Sequence, residues 1–161
     1  MTNKTNKKGF TIIEVVLVLA IAGLIFLMVF IALPTMQISQ RDTQRRDDLA
    51  RFASQISQYS ANNRGKVPTG QAEWESFSRD YMNVDKKTEN EVTFVDPDGK
   101  YYEIKYAGEV GNYKSAPTFD HIIYVYSSAT CDGEKPVAST GARKVAFIYK
   151  LEGAGVYCGN N

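Results

Sequence analysis

The sequence predicts an α+β protein: one long N-terminal α-helix, membrane-spanning in its first half, packed on a C-terminal antiparallel β-sheet of about four strands. Three observations predict it. An apolar run fills residues 10–33. Residues 35–63 contain neither Gly nor Pro and place apolar side chains at helical spacing. After residue 90 the apolar period changes to two, the period of a strand.

Phe10 opens the apolar run, and only Thr11 and Glu14 interrupt it before Leu33. As helix, these residues span roughly 36 Å, enough to cross a bilayer's hydrocarbon core. A cleaved secretory signal has an apolar core of only about 7–15 residues, so the run is too long for one. Lys4, Lys7 and Lys8 precede it, which places that end in the cytoplasm and the remainder outside.

Glu14 is the residue a plain membrane anchor does not explain. A carboxylate inside a span costs at least about 2.5–3.5 kcal/mol and normally has a partner. No Lys, Arg or His lies between Lys8 and Arg41. A cut before Phe10 creates a new α-amino group four residues from Glu14. That amine, from the same chain or a neighbour, is a cation able to neutralise the carboxylate.

The stretch from Lys7 to Val16, with Gly9, Phe10 and Glu14 in place, resembles the processing site of type IV prepilins. The resemblance is close over about the first 35 residues and architectural beyond them. It implies a pilin fold and cleavage by a prepilin peptidase between Gly9 and Phe10. It also implies N-methylation of Phe10, and pairing of Glu14 with the Phe10 amine of a neighbouring subunit. The implied organisation is a leader at 1–9, a transmembrane and filament-core helix at 10–33, an amphipathic helix at 34–64 and a globular head at 65–161. Within the head, 65–90 connects to a sheet in 91–161.

The implied product is a homopolymeric pilus for adhesion or motility, built by an assembly platform and its ATPase. Before assembly the precursor sits in the bacterial cytoplasmic membrane. A pseudopilin of a secretion system and a minor pilin for DNA uptake remain alternatives within the class. A single-span anchored binding domain that never polymerises is the alternative outside it. Pro34 and Gly23 mark 23–34 as the segment expected to melt or bend in a filament.

Further along, Leu49, Phe52, Ala53, Ile56 and Tyr59 form one apolar helix face, expected to pack on the sheet. Arg41, Asp42, Arg45, Arg46, Asp47, Asp48 and Arg51 make a mixed charge run. It reads as a solvated face with Asp42–Arg46 and Asp47–Arg51 pairs, or as inter-subunit ion pairing. Asn62 to Gly65 read as the stop. Trp74, Phe77 and Tyr81 predict a short amphipathic helix capped near Thr69.

Residues 91–95 and 100–106 read as strands about an Asp96-Pro97-Asp98-Gly99 turn. Calcium at Asp96 and Asp98 is the functional alternative, although two carboxylates make a thin ligand set. Residues 121–126 and 143–151 read as two more strands, 130–141 as a loop, and 156–158 as a short last strand. Cys131 and Cys158 read as a disulfide in an exported protein, with two buried free thiols as the alternative.

Basic and acidic residues number 19 and 18. Without the three lysines of the leader, 16 basic residues face 18 acidic ones, a balance that opposes nucleic-acid binding. No Gly-x-Ser-x-Gly elbow, Walker loop or His-Glu-x-x-His motif is present, so neither an enzyme nor a cofactor is expected. His121 with a cysteine is the remaining enzymatic pairing, and a strand histidine beside a disulfide is the simpler reading.

Overall fold

The computed structural model describes residues 9–84, 94–113, 115, 117–118, 120–153 and 155–161. Lys4, Lys7 and Lys8, and the first part of the expected strand at 91–95, lie outside them. The chain divides into two compact units, Met1–Gln37 and Ile38–Asn161.

Helix α1, Ile12–Asn62, runs through both units and includes Pro34. In the first unit it is apolar all round and exposed. An 18-residue window within α1 has a mean hydropathy of 3.2, long and apolar enough to cross a membrane. The expected bend at 23–34 concerns an assembled filament, which a single chain does not test.

In the second unit α1 buries Arg45, Leu49, Phe52 and Ile56. The helix ends where Arg64 and Gly65 both take positive φ, 58° and 80°. The Gly65 N–H then donates to the Ser60 carbonyl at 2.7 Å, satisfying one of the last helical acceptors.

Helix α2, Gln71–Met82, buries Trp74, Phe77 and Met82. Its start differs from the expected Thr69 side-chain cap. Glu73 reaches back instead, accepting from the Thr69 backbone N–H at 2.6 Å and hydroxyl at 3.1 Å.

The main sheet has four strands: β1 (Glu103–Glu109), β2 (Ile122–Ser127), β5 (Val145–Lys150) and β6 (Val156–Asn160), in the order β1-β2-β5-β6. The β2–β5 and β5–β6 pairs are antiparallel. The β1–β2 pair is parallel, a departure from the all-antiparallel expectation. The connection at 110–121 is as long as a parallel return requires; a two-residue hairpin permits only antiparallel strands.

The segment 130–141, expected as a loop, is largely a hairpin of β3 (Ala129–Asp132) and β4 (Lys135–Ala138). Gly133, at φ 59°, opens its tight turn. Pro136 obscured it: proline lacks a ladder N–H and is tolerated only where no partner strand needs one. Before β1, the Asp96–Gly99 turn holds a single antiparallel bridge, Val95 to Tyr101.

The core lies between α1, α2 and one face of the sheet. Phe52 sits at its centre, with ring contacts to Trp74, Phe77, Phe94 and Phe147. Burying each such ring contributes about 1.5–3 kcal/mol. Tyr59, expected against the sheet, packs instead on Phe77 and Tyr81 of α2. Gly159 faces Phe147 across β5–β6, and a Cβ there would collide with the Phe147 ring.

Candidate processing and assembly site

Gly9 and Phe10 are exposed and precede the first turn of α1. Thr11 sits at the N-cap. Its hydroxyl oxygen accepts the Glu14 backbone N–H at 3.4 Å. The Glu14 carboxylate in turn accepts from the Thr11 backbone N–H at 2.9 Å and the Thr11 hydroxyl at 2.8 Å. This reciprocal pairing is a capping box. Glu14 therefore satisfies the helix start from within its own turn, close after Gly9 and Phe10. The sequence reading overlooked Thr11, although Thr-x-x-Glu is the pattern of such a box.

Phe10, Glu14, Val15, Val18 and Leu19 line one shallow apolar groove. Gly23 lies further along the helix, where a Cβ would meet nothing within 4 Å. Among the described residues nothing requires glycine there.

The family model for the prokaryotic N-terminal methylation motif matches residues 4–30. That match covers the basic residues, the Gly9–Phe10 junction, Glu14 and most of the apolar run. The match supports a type IV pilin-like N-terminal segment. The motif implies processing by a prepilin peptidase, and with the apolar helix it fits a membrane-anchored precursor. It points to a structural rather than an enzymatic protein. Neither a curated protein nor a solved structure matches the chain.

In the second unit, only part of the α1 charge run is a solvated face: Arg46, Asp47 and Arg51 are exposed, whereas Arg45 turns inward. Arg45 is fully buried and fork-bonded to Asp96, with Nε to Oδ2 and Nη2 to Oδ1 both 2.7 Å. Its Nη1 also donates to Asp42 and Glu152, each at 2.9 Å. Arg41 joins through its own fork to Glu152. Asp42 accepts the backbone N–H groups of Glu152 and Gly153 at 3.0 and 2.9 Å, which ties the β5–β6 turn to α1.

The expected i,i+4 partners are replaced by nearer ones. Asp42 pairs with Arg45, and Arg51 with Asp48. Arg46 lies over the Tyr157 ring, 5.9 Å from its centre.

Burial pushes the Asp96 carboxyl up, but Arg45, the Asp98 N–H and the Tyr149 hydroxyl outweigh it and hold it at about 2. Arg41 and then Arg45 hold the Glu152 carboxyl at about 2. Burial opposes the Arg45 charge, and its three carboxylates more than compensate.

Asp96, Asp98 and His121 gather their ligand atoms within 4.8 Å, which tests the calcium alternative directly. They do not fit a cation. The two Asp96 oxygens accept four donors: Arg45 twice, Tyr149 at 2.8 Å and the Asp98 N–H at 3.0 Å. Four lone-pair sites are thereby filled. The buried guanidinium already supplies the positive charge a metal would bring.

Cys131 on β3 and Cys158 on β6 form a disulfide that joins the small hairpin to the main sheet. Beside it, Tyr126, Ala146 and Ile148 make a second, smaller apolar cluster.

Proposed function

We propose that the chain is a structural subunit of a type IV pilus, cut between Gly9 and Phe10, methylated on Phe10 and polymerised through its N-terminal helix. One observation carries this reading: a carboxylate, Glu14, inside an apolar span with no basic side chain, four residues beyond the junction of a matched methylation motif. The cut supplies the missing cation. A neighbour's Phe10 amine neutralises Glu14, and apolar contacts along the helices supply most of the assembly energy. Gly23 supports close helix approach, because small residues let apolar helices pack tightly.

Intact-mass analysis of the mature protein tests the first step. Loss of residues 1–9 with gain of one methyl group is expected, and retention of Lys4 to Gly9 sinks the reading. Glu14→Ala tests the second. The variant should insert and be processed but yield few sheared filaments. Normal filament yield removes Glu14 from the assembly role.

A further inference from the structure

A solvent-open cleft of about 650 Å³ lies at the C-terminal end of α1, lined by residues of α1, the turn after it, α2 and the segment before β5. Its volume falls within the roughly 300–1,000 Å³ of small-ligand pockets. Three exposed cations line it: Arg64, Lys66 and Arg143. Among the described residues none of the three makes an ion pair.

Helix electrostatics do not account for them. The C-terminal end of α1 contributes about −0.5 charge. Glu73, the one acidic residue among the described lining residues, adds one more. Three cations therefore leave a surplus of about +1.5. The Arg143 guanidinium is also seated: a Cβ on Gly65 would lie 2.8 Å from its Nη1 and 3.0 Å from its Cζ. Gly65 at φ 80° allows that approach.

We propose that this cleft binds a short acidic oligosaccharide, its carboxylates held by Arg64, Lys66 and Arg143. Guanidinium forks match carboxylate geometry. On the same walls the Asn62 and Asn63 amide nitrogens and Glu73 Oε2 are bonded within the chain, which leaves the Asn62 and Asn63 amide oxygens, Glu73 Oε1 and the Tyr59 hydroxyl as groups suited to sugar hydroxyls. The overall charge disfavours nucleic acid. Without the leader the chain carries 16 basic against 18 acidic residues. A long polyanion meets that unfavourable overall field, whereas a short one meets chiefly the local surplus within a Debye length of about 8–10 Å.

The test uses the full chain in neutral-detergent micelles, titrated calorimetrically with a trimer of galacturonic acid. Saturable binding is expected, weakened at least tenfold in R143Q and in K66Q, and lost with the methyl-esterified trimer. Arg143 also packs on Gly65, so R64Q and K66Q carry the test should R143Q lose its near-UV dichroism. Absence of saturable binding overturns the proposal, as does equal binding of the ester or unchanged affinity in R64Q and K66Q. Tighter binding of a thymidine hexanucleotide, with the same dependence on Lys66, overturns it in favour of nucleic acid. None of these outcomes depends on whether the chain polymerises.

Discussion

Arg45 and Asp96, 51 positions apart, meet through two 2.7 Å hydrogen bonds in the buried interior of the second unit. The pair attaches α1 to the turn that precedes the sheet. Tyr149 of β5 adds its hydroxyl to Asp96, so helix, turn and strand meet at one carboxylate.

Arg45→Met should destabilise the second unit by about 3–5 kcal/mol, because it strands the Asp96 charge in the interior. Urea unfolding of the detergent-solubilised chain, followed by near-UV dichroism of the core aromatics, measures it. A loss below about 1 kcal/mol would show that the pair is unimportant for stability.

Acid should weaken the same unit. Asp96 and Glu152 titrate at about 2 in the folded chain, below their ordinary values near 4. A carboxyl held low in the folded state stabilises fully above its unfolded pKa, and that stabilisation fades as pH falls through the folded one. The melting temperature should therefore hold above about pH 5 and fall between about pH 4 and 2. Asp96→Asn should start lower and show a shallower acid slope.

Gln71 closes the open edge of β1. Its side-chain amide donates to the Ile104 carbonyl at 3.0 Å and accepts the Tyr106 N–H at 2.8 Å, as a neighbouring strand would. Gln71→Ala should cost about 1–2 kcal/mol, the worth of two hydrogen bonds. Amide hydrogen exchange should quicken at Tyr106 and leave Val125, in the sheet interior, nearly unchanged. Equal protection at Tyr106 in both proteins would show that the edge needs no cover.

Reduction of Cys131–Cys158 should lower stability by about 3–4 kcal/mol, from the entropy regained by the unfolded loop. Comparing thermal unfolding with and without reductant measures it. The double Cys→Ser variant should match the reduced protein.

Periodicity made much of the fold legible. Leu49, Phe52 and Ile56 recur at helical spacing and are all fully buried. Trp74 and Phe77 announce the buried face of α2, and alternation in Val145, Phe147 and Tyr149 announces a core strand. Thr11 was legible as well, since its partner Glu14 stands three residues away. The β3–β4 hairpin was half-legible: Gly133 signals its turn, but Pro136 and the short strands resemble a loop.

By itself the sequence determined the features that depend on neighbours along the chain. These are the apolar span, the absence of any basic side chain beside Glu14 in it, and the amphipathic faces, each written within a few helical turns. Only the tertiary structure decided the use of Arg45, the parallel pairing of β1 with β2, and the gathering of Arg64, Lys66 and Arg143 around one cleft. Each depends on residues distant in sequence. An arginine in a charged run looks the same whether water or a buried Asp96 solvates it, and its partner becomes known only when the chain has folded back.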